Sequence, residues 1–242
     1  MRIDVAKAFN LNADDPEGWK KAITFALVVF LCALGGFLIL PFLFLMLYSP
    51  GYMVQYVRNV ATGDNNKQLP VVMNTGVLWH GFMLAIVGMI YSLPLMGVLA
   101  VGLGGGIAAI ASGASMDSAL VSMGGLAGIG LMGVVACLLG LVIAAFMPMV
   151  LLQYCRNFQF GEAFNVGAIF SGMMRSPGDY LLVLVVPFAV NCVVAMIPFV
   201  GIFLSPIVTL IGANLIGQYG AKVLEMGDDT PALPADVGFS KF

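Results

Sequence analysis

Glutamine, tyrosine, arginine and asparagine recur together in this chain. Gln55-Tyr56-Val57-Arg58-Asn59, closed by Gly63-Asp64, is written again as Gln153-Tyr154-Cys155-Arg156-Asn157, closed by Gly161-Glu162. A looser third copy is Gln218-Tyr219 with Lys222, followed by Gly227-Asp228. Each copy follows a long apolar run, so each reads as the foot of a membrane helix where it meets water. There Tyr suits the headgroup layer and Arg stays with water and lipid phosphate. Gln or Asn can bond the last helix carbonyls, where a cation is also favoured. That structural role is the reading adopted. The alternative is a cytoplasmic ring of three feet that binds an anionic lipid headgroup or a partner's acidic segment. Its contacts would be Gln55, Tyr56, Arg58, Asn59, Gln153, Tyr154, Arg156, Asn157, Gln218, Tyr219 and Lys222.

The other polar groups suggest no reaction. His80 is the single histidine, beside Trp79 with no Cys, Asp or Glu near it, and reads as an interfacial hydrogen-bonding residue. Cys32, Cys137, Cys155 and Cys192 lie in or beside apolar runs with no Cys-x-x-Cys or Cys/His spacing, so neither a metal site nor a disulfide framework is expected. Asn191, Thr209 and Asn214 are expected to bond neighbouring helices. Gly102-Leu103-Gly104-Gly105-Gly106 lacks the third glycine of a dinucleotide fingerprint, since Ile107 stands there. Gly124, Gly128, Gly133, Cys137, Gly140 and Ala144 form a row of small residues suited to close helix approach, within the protein or with another subunit. No paired carboxylates or Ser/His/Asp set occurs. No catalytic, cofactor or metal residue is expected, and the chain is expected not to be an enzyme.

The elements that must hold these residues follow from composition. Of 242 residues, 61% are hydrophobic and 9% charged, far from the soluble norm of about half and about a quarter. The expected class is all-α: a polytopic transmembrane helical bundle of about six spans, arranged as three hairpins with short interfacial amphipathic helices. A net charge of −2 gives no reason to expect nucleic acid.

Residues 3–12 suit a short surface helix, and Asp14-Asp15-Pro16-Glu17 reads as a helix start anchored by Trp19, Lys20 and Lys21. The apolar run Ala22 to Tyr48 is either one tilted helix or a hairpin turning between Gly35 and Pro41. The hairpin is chosen because it puts every Lys and Arg on one side, both termini cytoplasmic. Further spans are expected at Gly81 to Leu103, Leu120 to Tyr154, Tyr180 to Ile197 and Ile202 to Leu224. Surface segments lead into the third and fifth spans. Gly104 to Ser118 is expected as an external loop, and Pro198-Phe199-Val200-Gly201 as a tight external turn. The chain thus reads as a single transmembrane domain, 1–226, of three repeats at about 3–64, 69–162 and 163–226, with a flexible polar tail at 227–242.

Gly51-Tyr52-Met53-Val54-Gln55-Tyr56-Val57-Arg58-Asn59, Gly63-Asp64 and Leu69-Pro70, with Pro198-Phe199-Val200-Gly201 before the last helix, resemble the DUF4013 family of prokaryotic multi-pass membrane proteins. The resemblance extends from about Asp15 to Gly227. It implies a bacterial or archaeal location in the inner (cytoplasmic) membrane, and no mechanism, because the family has no assigned activity.

The functional expectation is a non-enzymatic subunit, anchor or scaffold of a larger membrane assembly. Its partners would be membrane lipids and either other membrane subunits or further copies of itself. The alternative is a passive carrier or exporter of lipid or small apolar solute, which three parallel hairpins around a pseudo-threefold axis would suit. A lipid-modifying enzyme ranks below both.

Overall fold

A computed structural model describes residues 3–10, 17–34, 39–63, 69–70, 75–115, 119–197 and 200–224. Among them every regular element is helical: α1 (Val5–Phe9), α2 (Gly18–Leu34), α3 (Ile39–Thr62), α4 (Thr75–Ser115), α5 (Ala119–Asn157), a 3-10 helix (Phe160–Phe164), α6 (Val166–Arg175), α7 (Pro177–Ala195) and α8 (Val200–Val223). Proline sits inside α3, α4, α5, α7 and α8. Membrane helices tolerate this because neighbouring groups re-satisfy the freed carbonyl.

α2 ends at Leu34 and α3 begins at Ile39; Gly35 and Gly36 of the expected hairpin turn lie outside the described residues, and Pro41, expected at its far end, lies within α3. Among the described residues three helical stretches are long and apolar enough to cross a membrane: Gly76–Ser112, Met123–Asn157 and Pro177–Ala195. Most of the proposed helix start at Asp14, the turn residues Pro198 and Phe199, and the tail from Gly227 lie outside the described residues.

Three expectations need correction. Gly104 to Ser118 is no loop up to Ser115, because α4 continues through Gly104-Gly105-Gly106. Glycine weakens a helix in water chiefly through backbone entropy and solvated peptide groups. In an apolar medium an unpaired backbone group costs several kcal/mol, so the helix persists. Val200 and Gly201 likewise belong to α8 rather than to a turn. The third correction concerns the small residues of α5, described below.

The chain divides into two compact units, Met1–Ile86 with Pro148–Phe242, and Val87–Met147. In the first, α8 is the most enclosed helix, with Leu210 to Gly220 buried throughout. Its glycines allow this approach. A Cβ on Gly217 would lie 2.8 Å from the Val57 carbonyl oxygen, and one on Gly220 would lie 2.5 Å from a Leu152 methyl. Gly51 of α3 and Gly81 of α4 form a second close crossing, where a Cβ on Gly81 would stand 1.6 Å from the Leu47 carbonyl oxygen. Between α2 and α3, Phe25 stacks on Tyr52 at 4.5 Å and approaches Tyr48 at 5.9 Å, all three buried.

The second unit is a hairpin of the later part of α4 and the earlier part of α5. Its seam is glycine against side chain: Cβ atoms on Gly102 and Gly106 would meet Met132 at 2.4 Å and Ile129 at 2.2 Å. Gly125 faces the Gly106 carbonyl oxygen in the same seam. The small-residue row named from sequence does not form it. Cβ atoms on Gly124, Gly128, Gly133 or Gly140 would meet nothing within 4 Å, and Cys137 is exposed. The reason is angular. At about 100° per residue, Gly133, Cys137, Gly140 and Ala144 share one side of α5, while Gly124 and Gly128 fall on the opposite side. The seam instead uses Gly125 and Ala136.

Candidate functional site

The three Gln-Tyr pairs stand on α3, α5 and α8, and all six residues are buried. Helical geometry puts a Gln and the Tyr after it on adjoining faces, so a foot can point two polar groups at different neighbours, as those at Gln153 and Gln218 do. The partners are drawn from remote parts of the chain. Gln218 clamps the backbone of Asp4, its Oε1 accepting the Asp4 N–H at 2.7 Å and its Nε2 donating to the Asp4 carbonyl at 3.0 Å. The same Nε2 reaches Asn214 Oδ1 at 2.8 Å, and Asn214 Nδ2 donates to the Tyr56 hydroxyl at 2.8 Å. A buried polar chain therefore links α1, α8 and α3. The Asp4 side chain caps α1 by accepting the Lys7 N–H.

The other pairs act similarly. Gln153 Nε2 donates to the Ala168 carbonyl of α6 at 3.4 Å. The Tyr219 hydroxyl donates to the Gly172 carbonyl of α6 at 2.7 Å, and the Tyr154 hydroxyl bonds Nδ1 of His80 at 3.0 Å. No buried side-chain nitrogen or oxygen among the described residues lacks a hydrogen-bond partner. That satisfaction is what makes so much buried polarity tolerable.

Among the described residues Arg58 is the buried cation, 4% exposed. Its guanidinium donates to the Cys155 carbonyl at 3.2 Å and lies 4.1 Å from the centroid of the Phe158 ring. Phe158 also packs against His80, ring centroids 4.3 Å apart, and has a positive φ of 53°. A left-handed phenylalanine is uncommon; here it follows α5, where a left-handed residue ends the helix. The sandwich between Arg58 and His80 fixes the ring.

The corresponding cations differ. Lys222 forms an ion pair with Asp179 at the start of α7 and bonds Ser176 Oγ, while Arg175 donates to the Val223 carbonyl. Arg156 and Asn157 are exposed, and Asn59 is half-buried. The structure thus brings Gln55, Tyr56, Arg58, Gln153, Tyr154, Gln218 and Tyr219 into the interior. Arg156 and Asn157 are left at the surface. Of the residues expected to bond between helices, Asn214 does so. Thr209 bonds the Ser205 carbonyl of its own helix, and Asn191 is exposed.

One pattern escaped sequence reading. Asn74-Thr75-Gly76-Val77-Leu78-Trp79-His80-Gly81 and Asn165-Val166-Gly167-Ala168-Ile169-Phe170-Ser171-Gly172 match as Asn-x-Gly-x-(Leu/Ile)-(Trp/Phe)-x-Gly. The second glycine is in close contact with a neighbouring helix in each, against backbone at Gly81 and against a side chain at Gly172. Gly81 packs on α3 beside Gly51, and a Cβ on Gly172 would lie 2.1 Å from the Met149 methyl of α5. Gly51 and Met149 each follow a proline, Pro50 and Pro148, and precede the Gln-Tyr pair by the same interval. Asn10 and Asn165, which each close an Ala-Phe-Asn triplet, also share one backbone form, with ψ 81° at both C-caps.

A family model described as "Protein of unknown function (DUF4013)" matches residues 34–206. The chain belongs to the DUF4013 family. The match is narrower than the resemblance seen in sequence: it takes in the Gln55 and Gln153 feet but stops short of Gln218, and α1 lies outside it. No curated protein and no solved structure matches the chain. What this DUF4013 chain offers chemically is a satisfied polar core. Among the described residues no group of His, Cys, Asp and Glu could hold a metal ion.

Proposed function

We propose that the protein is a non-enzymatic membrane protein acting as a subunit, anchor or scaffold of a larger membrane assembly. In this reading it crosses the inner membrane six times as three repeated hairpins, with both termini cytoplasmic. Its partners are membrane lipids and other membrane subunits or further copies of the chain.

The observation that carries the reading is excess apolar length. Gly76–Ser112 and Met123–Asn157 hold 37 and 35 residues. At about 1.5 Å per residue these are about 56 and 53 Å long, against a bilayer core of about 30 Å. Even a 40° tilt, the top of the usual range, accommodates only about 26 residues. Roughly ten residues of each helix then stand beyond the lipid core; Met149–Cys155 at the end of α5 are covered within the protein, whereas Val101, Leu103 and Ile107 of α4 and Met123 and Leu126 of α5 are exposed, and apolar surface outside lipid needs a protein cover. Gly133, Cys137, Gly140 and Ala144, on one side of α5 with open space at the glycines, give a partner helix a face for close approach.

Support for the hairpins comes from six helices of 17 residues or more, α2, α3, α4, α5, α7 and α8. The repeated Gly contacts and the Gln-Tyr feet support the internal repeat. With three hairpins, all ten Lys and Arg fall on one side. The test is native mass spectrometry of the gently solubilised protein beside a Gly133→Leu/Gly140→Leu variant. We expect a higher-order complex that the variant loses. Monomer alone from the unaltered protein, with nothing co-purifying, would remove the reading.

A further inference from the structure

We infer that α6 lies in the plane of the bilayer surface and inserts Val166, Phe170 and Met174 at the boundary between headgroups and acyl chains of an anionic membrane. This rests on the membrane placement of α7 in the preceding reading and adds a binding surface to it.

The helix is two-faced. Ile169 and Gly172 are buried, with Gly172 seated on Met149 and its carbonyl bonded by Tyr219, so that side belongs to the protein interior. Val166, Phe170 and Met174, one helical turn apart in sequence, are 62%, 53% and 54% exposed on the other side. No core covers this apolar stripe.

Two observations assign lipid as its occupant. The first is continuity. Only Ser176 separates α6 from α7, a candidate membrane span whose Leu181, Leu182, Val185 and Phe188 are exposed. The stripe therefore sits where the chain passes into an apolar medium, and Arg175, exposed at the same end with one guanidinium nitrogen on the Val223 carbonyl, has further donors suited to lipid phosphate. The second is the matching segment at the start of α4. There Trp79 occupies the place of Phe170 and is also exposed, beside exposed Phe82. Tryptophan at that place is the residue favoured at a lipid–water boundary.

Trp19 and Trp79 are the only tryptophans, so depth can be read optically. In a Trp19→Phe/Trp79→Phe background, Phe170→Trp and, separately, Phe188→Trp are reconstituted as the full chain in phosphatidylcholine/phosphatidylglycerol vesicles. These vesicles carry a doxyl quencher either near the headgroup or near the acyl terminus. Tryptophan at 170 is expected to be quenched about twofold more by the shallow probe than by the deep one, as an interfacial helix requires. Tryptophan at 188 should show a different depth profile, with the deep probe contributing more. Native Trp79, read in a Trp19→Phe protein, provides a second shallow signal with no change in α6. Quenching at 188 with none at 170 overturns the inference and indicates that protein or water covers the stripe. Quenching at neither position overturns the membrane placement of α7 and the inference with it.

Discussion

The two compact units hold their helices by different means. In Met1–Ile86 with Pro148–Phe242, close crossings at glycine are combined with a buried polar chain that chooses its partners by geometry. In Val87–Met147 the helices meet through a glycine seam, and their outer sides are apolar and exposed. Dispersion between smooth apolar surfaces is non-directional, whereas an unmade hydrogen bond in an apolar medium is costly. The first unit therefore adds a directional constraint that the second, held by Met132 and Ile129 packed against glycines, lacks. Under the reading proposed above, the second unit is the part that offers a partner a face.

Substitutions can break that contrast. The largest effect is expected from Gly81→Leu, since even the first added carbon meets the backbone of α3. Backbone displacement should cost about 3 kcal/mol or more, read as a fall in thermal midpoint in detergent. A loss under about 0.5 kcal/mol would mean that the crossing is loose. Next comes Asn214→Ala, which removes the bonds to the Tyr56 hydroxyl and Gln218 Nε2 and should cost about 1–2 kcal/mol for the two. Combined with Tyr56→Phe, it should show a coupling of roughly 0.6–1.7 kcal/mol, the range for bonds between membrane helices. Strict additivity would dissolve the proposed chain. The smallest effects sharpen the second unit. Gly125→Ala should cost about 1 kcal/mol by crowding the Gly106 carbonyl. Gly133→Ala should leave stability unchanged or raise it by up to about 1 kcal/mol, because a Cβ there meets open space. Equal losses at Gly125 and Gly133 would refute the assignment of the seam.

The helical class and the recurrence of Gln-Tyr were legible in the sequence because they depend on composition and local spacing. The direction in which the feet face was not. A Gln-Tyr pair followed by Arg reads as a group meeting water. Here Gln218 instead finds the backbone of Asp4, a contact across 214 positions that no local pattern encodes. Gly104-Gly105-Gly106 misled for a related reason: glycine's tendency to interrupt helices is a property of chains in water. The small residues of α5 were visible as small, but their angular positions separated a seam from an outward face. The Asn-x-Gly segments were present as a signal, and the search for copies had been anchored on Gln-Tyr alone.

The clamp of Gln218 on Asp4 bears on the order of assembly. Residues joined across so much sequence cannot meet while the chain between them is still being made, so α1 must wait, undocked, until α8 has been synthesised and inserted. A nascent chain halted before α8 would then leave the α1 backbone around Ala8, buried in the finished molecule, open to a protease. The first helix would be the last to lock.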